Sequence, residues 1–333
     1  MERIKNILKS REITPLYMLI ILFLIVGIIN PTFFSRTNIL STLYGSSLYI
    51  LLSIGISFVI MTGEIDVSIG STLGLCASIA GILIRDGYSI MIVLFVVFIV
   101  GGTIGLINGI GVVDLEVSSI IMTLGTLGVV RGIIYIITKG RWVENLPTEF
   151  KELSQLEFLG INIFFIISCL FALMMHLYLT KVPQGVYFKA VGDNSNGAHL
   201  VGIPVKKTKR LAFVFSGIFS GLAAVMFASR TGFIAPISGN GYEMTIIAGC
   251  VLGGISLTGG VGSIIGSSLG VIIMASLSKV LVFMGFSSDL NNTITGALLV
   301  IIVVTDTLLQ KYSISKNRKI RLSNRVKGEA VNG

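Results

Sequence analysis

Residues 88–112 read Tyr-Ser-Ile-Met-Ile-Val-Leu-Phe-Val-Val-Phe-Ile-Val-Gly-Gly-Thr-Ile-Gly-Leu-Ile-Asn-Gly-Ile-Gly-Val, without one charged side chain. A run of this length and character spans a bilayer, whose hydrocarbon core takes about 20 helical residues. Nine further apolar segments lie on either side of it, at 15–35, 39–62, 67–84, 117–138, 161–180, 211–229, 243–257, 262–284 and 290–310. The predicted fold class is an all-α polytopic membrane protein of about ten transmembrane helices. The spans occupy 15–310, between a short tail 1–14 and a basic tail 311–333. The segment at 243–257 is short and interrupted by glycine, so a half-broken helix is expected there.

Composition agrees. Of 333 residues, 53% are hydrophobic and only 12% are charged, and mean hydropathy is +0.92. A soluble domain carries roughly a quarter charged residues, so half that share leaves too little polar surface to coat a water-soluble fold. Cys76, Cys169 and Cys250 all sit in apolar runs without a C-x-x-C pair, which argues against a disulfide framework or a zinc site. No metal ligands are expected.

The formal charge of +9 is a matter of topology. Seventeen of the 25 Lys and Arg residues fall in the N-terminal tail, the 181–210 loop and the C-terminal tail. The positive-inside rule then puts both termini and that loop in the cytoplasm. No nucleic-acid partner is needed to explain the charge, and the basic tail suits contact with anionic membrane lipid. Two acidic loops, with Glu64 and Asp66 and with Asp114 and Glu116, fall on the same side.

Thirty-nine glycines recur with a pattern. Gly101, Gly105 and Gly109 form one four-spaced run and Gly262, Gly266 and Gly270 another, with Gly128 and Gly132 as a shorter pair. Four-residue spacing sets them on one helix face, where two backbones can approach closely. A weak echo relates Gly63–Ser71, after the second span, to Gly253–Gly260, after the eighth.

Enzymatic motifs are scarce. There is no G-x-x-x-x-G-K-[ST], so the chain does not hydrolyse ATP by itself. Gly266-Ser-Ser-Leu-Gly270 fits G-x-S-x-G, but it lies in an apolar helix, with His176 and His199 remote in sequence, and reads as packing glycine. Charged groups in apolar segments are costly, which singles out Asp66, Arg131, Glu243 and Lys279. Arg131 and Lys279 are expected to reach the membrane interface, and Glu243 stays open between interface and solute path. Asp66, Ser68, Asn108, Thr123, Thr126 and Glu243 are the candidate path residues, suited to a polar solute. The 181–210 loop offers Asp193, Asn194 or Ser195 as cap of a short helix through about Val201, closed by Gly202 and Pro204, and such a helix suits either docking or a solvated loop.

Four stretches carry a family resemblance: Gly63-Glu-Ile-Asp-Val-Ser-Ile-Gly-Ser71; Thr123-Leu-Gly-Thr126 with Arg131-Gly132; Ala190-Val-Gly-Asp-Asn194 with Gly202-Ile203; and Gly241-Tyr-Glu243 running into Val251-Leu-Gly-Gly-Ile-Ser-Leu-Thr-Gly-Gly260. Together they resemble the permease subunits of ribose-type ABC importers over about residues 12–307. Arg11-Glu-Ile-Thr14, Ile65-Asp-Val-Ser68 and Gly140-Arg-Trp-Val-Glu-Asn-Leu-Pro147 bring the chain nearest to the branch that imports autoinducer-2. Glu64 and Ser118-Ser119 depart from the family's uncharged residue and proline-containing pair.

The resemblance implies a transport subunit of the cytoplasmic (inner) membrane, not an enzyme. It implies a cytoplasmic ABC ATPase that spends the ATP, a second permease subunit, identical or sister, and an extracytoplasmic solute-binding protein. It puts Asp193, Asn194, Ala198 and Gly202 in the segment that meets the ATPase. A permease for ribose or another sugar is the alternative within the family, and an ion-coupled secondary carrier the alternative outside it.

Overall fold

The computed structural model describes residues 13–287, 290, 293–301 and 304. The basic tail 311–333, all but two residues of the tail 1–14, and part of the expected span 290–310 lie outside the described residues.

The chain begins with α1 (Ile13–Ile29), a 3-10 turn Pro31–Phe34, α2 (Arg36–Gly45) and α3 (Ser47–Met61). Then come α4 (Ile69–Arg85), α5 (Ile90–Val113) and α6 (Ser119–Thr138). A short α7 (Thr148–Glu152) leads to strands β1 (Glu157–Phe158) and β2 (Ile161–Asn162). They are followed by α8 (Ile163–Lys181), α9 (Pro183–Asp193), α10 (Ser195–Leu200), α11 (Val205–Thr231), α12 (Tyr242–Leu252) and α13 (Ile264–Phe283). Residues 293–301 are helical. The small hairpin is the departure from an all-helical chain. Leu159 and Gly160 both adopt positive φ, the requirement of a tight two-residue turn.

Five helices among the described residues are long and apolar enough to cross a membrane: Arg36–Met61, Ile90–Val113, Ser119–Thr138, Ile163–Lys181 and Val205–Thr231. Four more apolar helices are shorter. The 39–62 segment is two helices jointed at Ser46, whose backbone N–H turns back to the Leu43 carbonyl. The 211–229 segment starts earlier, at Val205, because its first turns are basic and escape a hydropathy reading. The 243–257 segment stops at Leu252, and Gly253–Gly262 form turns in which Gly254, Gly259 and Gly260 hold positive φ.

α3 is apolar on all sides and buried on nearly all of them, as expected of a central helix. α11 packs against α5, α3 and α4. α5, α6 and α8 are equally apolar yet mostly exposed, which suits hydrocarbon rather than water. The glycine runs divide. A methyl at Gly101 or Gly105 would run into the carbonyls of Gly217 and Phe213, and one at Gly217 into the carbonyl of Gly101. Gly109 lies over the Arg210 backbone. Here α5 and α11 cross backbone to backbone. Gly266 and Gly270 of α13 do the same against Gly249 of α12 and Gly253 just past its end. Two expectations change: Gly262 precedes α13 and packs against Ile255 and Met61, while Gly128 and Gly132 meet nothing within 4 Å.

α11 gives the molecule two recognisable ends. Lys209 and Arg210 mark a basic end, and Arg230 marks the far end. At the basic end the acidic loops have a use: Lys209 pairs with Glu64 at 2.6 Å, and Arg210 lies 3.5 Å from Asp114. Glu64 is thus neutralised by a partner on α11.

Candidate translocation path and docking face

The turn between α3 and α4 carries a carboxyl group that forms no salt bridge among the described residues. Asp66 is buried, and its Oδ1 accepts the Ser68 backbone N–H at 2.9 Å and the Ser68 hydroxyl at 2.6 Å. Its Oδ2 accepts the Ser216 hydroxyl from α11 at 2.7 Å. Ser68 Oγ in turn accepts the Asn108 amide of α5 at 2.9 Å, and Asn108 Oδ1 accepts the Thr126 hydroxyl of α6 at 2.6 Å. One continuous chain of hydrogen bonds therefore ties α11, the turn, α5 and α6. Buried polar groups are stable only when satisfied in this way.

Thr123 joins through the backbone, accepting the Val67 N–H at 3.1 Å and donating to the Ser119 carbonyl. Ser119 accepts the Ile65 N–H at 3.2 Å. It supplies a lone pair where the turn needs one. Five of the six candidate path residues thus share one cluster, and Thr126 is its outlet. It lines a groove of about 420 Å³ with Ile104, Ile121, Met122, Gly125 and Val129.

Glu243 stands apart, in the first turn of α12. Its Oε1 accepts the Gly241 N–H at 3.1 Å, and its buried Oε2 has no hydrogen-bond partner among the described residues. A methyl at Gly70 would fall on that carboxylate and on the Gly239 carbonyl, so α4 and the 236–243 loop touch only because Gly70 has no side chain. Arg131 is anchored to this loop. Its Nη1 donates to the Pro236 and Ser238 carbonyls at 2.9 and 2.8 Å, holding the same loop.

Sequence reasoning missed Ser216, one more hydroxyl in an apolar helix. The signal was its spacing: Ser216-Gly217 recurs as Ser220-Gly221, and the glycines pack on α5. Ser216→Ala takes one hydrogen bond from Asp66, leaves a buried oxygen without it, and is expected to cost about 1–3 kcal/mol. Thermal unfolding of the purified protein in detergent measures it, and an unchanged midpoint would remove Ser216 from the network.

The 181–210 loop is largely helical. α9 begins with Pro183 at its first position, where a missing N–H costs nothing. Asn194 then caps α10, accepting the Gly197 N–H at 2.8 Å, and Gly202 turns the chain at positive φ. Asp193, Asn194 and Gly202 are exposed, whereas Ala198 is buried. Leu200 and Val201 stand 85% and 77% exposed beside them. This apolar tip went unnoticed in the sequence. The block is seated on the core by glycine. Gly192 lies against the Met61 carbonyl and the Gly260 N–H, which bond each other at 2.9 Å, and Gly260 packs on Asp193. The echoing stretches meet here too, Gly259 against Gly63. No group of three or more His, Cys, Asp or Glu residues that could hold a metal occurs among the described residues.

Comparison with known proteins agrees with this architecture. The family model described as the branched-chain amino acid transport system / permease component matches residues 38–303. The autoinducer 2 import system permease protein LsrC of Enterobacter sp. (strain 638) is 36% identical over 319 residues, covering 96% of this chain and 93% of the relative. The LsrC protein of Salmonella typhi is 38% identical over 307 residues, 92% of this chain and 88% of the relative. That of Photorhabdus laumondii subsp. laumondii is 37% identical over 314 residues, 94% of each. No solved structure gives a significant match. The chain belongs to the permease-component family of the branched-chain amino acid transport system, and is a multi-pass membrane transport subunit.

Proposed function

We propose that the chain is the permease subunit of an ABC importer that carries autoinducer-2 across the inner membrane. The observation that carries this reading is its likeness, over nearly the full length of both chains, to permeases named for autoinducer 2 import. In this reading the basic end is cytoplasmic, about ten spans bring both termini to that side, and the tails flank a transmembrane domain at 15–310.

The ATP is spent by separate ATPase subunits that press on α9 and α10. The exposed Asp193, Asn194 and Gly202 and the apolar Leu200–Val201 tip support that surface, with Ala198 anchoring it from below. The glycine seat at Gly192 and Gly260 passes the push to α3 and to the 253–262 turns. The packed helices then rock between outward- and inward-open states. Asp66, Ser68, Asn108, Thr123 and Thr126 supply hydroxyl and amide groups along the path, which suits a neutral polyol, and Glu243 closes the far half. The groove beside Thr126 and the bare glycine face of α6 are open on one side, which suits a second permease as the opposite wall. An extracytoplasmic solute-binding protein delivers the solute.

The test is uptake in a deletion strain and its complemented twin, given autoinducer-2 and labelled ribose in parallel. Clearance of autoinducer-2 by the complemented cells alone, with ribose uptake unchanged, is the expected result. Ribose uptake that follows the gene would transfer the function to a sugar. Asp193→Arg is expected to lower autoinducer-2 uptake at least about tenfold, since reversed charge at a docking contact costs 1.4 kcal/mol or more. The variant's membrane content, measured by immunoblot, should not change.

A further inference from the structure

The far end holds a second polar cavity, unconnected with the Asp66 network. It measures about 200 Å³ and lies among Ser41 and Tyr44 of α2, Ser47 of α3, Arg230 of α11 and Lys279 of α13, over apolar walls that include Met226. Two cations line it and no carboxylate does. Neither cation forms a salt bridge among the described residues, although Glu152 and Glu157 lie on the neighbouring 148–162 segment.

The donors are unevenly used. The hydroxyls are all engaged: Ser41 to the Asn38 carbonyl, Ser47 to that of Tyr44, and Tyr44 to that of Gly160. Arg230 has spent one N–H on the Gly45 carbonyl, and Lys279 has spent one on Ser41 Oγ at 2.7 Å. A guanidinium carries five N–H donors and an ammonium three, so most of the charged donors remain available to one occupant. Two like charges in a half-enclosed pocket repel each other, and a shared anion reverses the sign of that energy. The combination of a planar guanidinium fork and a point ammonium matches the oxygens of a phosphate. The pocket lies at the far ends of α11 and α13, with Arg230 next to the last residue of α11 and Lys279 one turn before the end of α13, which suits the phosphate of a lipid headgroup.

We propose that this cavity is a phosphate-binding site, filled by the phosphodiester of an anionic phospholipid or by the free anion. The site does not depend on which solute the permease carries, so its failure would leave the transport reading untouched.

The experiment uses the full-length protein in detergent. Native mass spectrometry with equimolar phosphatidylglycerol and phosphatidylcholine gives the lipid preference. Melting in inorganic phosphate against chloride at equal ionic strength gives the response to the free anion. The wild type is expected to prefer phosphatidylglycerol about tenfold, the equivalent of one good charged contact. R230Q/K279Q should bind the two lipids equally. K279Q alone, which gives up only the bond to Ser41, should lower the preference at least about threefold and keeps the test informative if the double variant does not fold. Stabilisation of the wild type by inorganic phosphate without a lipid preference, lost in K279Q, would name the free anion as the occupant. A wild type indifferent to both anions, or a K279Q variant with unchanged responses, would overturn the site.

Discussion

Gly217→Leu is expected to leave almost no folded protein in the membrane. The α5–α11 crossing brings the Gly217 backbone onto Gly101 and Gly105, and what a new side chain meets is backbone, which cannot swing aside. Overpacking of a tight core costs typically 1–3 kcal/mol. A leucine against two carbonyl-bearing turns belongs at or beyond the upper end, about 3 kcal/mol. Fluorescence-detected size exclusion of a tagged chain should show loss of the monodisperse peak. Gly128→Leu is the control, because that glycine meets nothing within 4 Å, and its effect on the isolated chain should stay within about 0.5 kcal/mol. Equal behaviour of the two variants would mean that the crossing does not hold the fold.

Gly192→Val should give the opposite phenotype, a protein that inserts and does not transport. The added side chain would push between the Met61 carbonyl and the Gly260 N–H, under the block formed by α9 and α10. Because this seat lies at the basic end, outside the α5–α11 crossing, the body of the fold survives. Autoinducer-2 uptake is expected to fall at least about tenfold, a loss of 1.4 kcal/mol or more of coupling, with immunoblotted membrane content near wild type. Full uptake by this variant would disconnect the seat from the transport cycle.

Hydropathy alone made the membrane class legible, and most helices start or end within a few residues of the expected places. The misplacements share a cause. Gly253–Gly262 contains no charged residue, so a hydropathy window runs through it, yet Gly254, Gly259 and Gly260 take backbone angles that no helix allows. Val205–Arg210 fails for the reverse reason, being helical but basic. Spacing could narrow a cap to Asp193, Asn194 or Ser195, since capping is local, and the structure selects Asn194. It could not separate Gly101 from Gly128, because what distinguishes them is the helix opposite. The same limit applied at the candidate site. Asp66, Asn108 and Thr126 stood out as polar residues in apolar surroundings, whereas Ser216 acquires its meaning from a carboxylate 150 positions earlier in the chain.

The crossing of α5 and α11 also decides where the molecule can bend. Backbone pressed on backbone has no rotamers to exchange, so in the proposed rocking cycle the two helices are expected to move as a single lever. The 27 residues of α11 run about 40 Å from Val205 to Thr231, with about 30 Å of that between Lys209–Arg210 at one face and Arg230 at the other. A tilt at one face becomes a proportionate displacement at the other, as through a fixed gear. The joints at 232–241 and 253–262 are tied to the neighbouring helices at Arg131, Gly70 and Gly192, and substitutions at those ties should change turnover speed and leave the cargo unchanged.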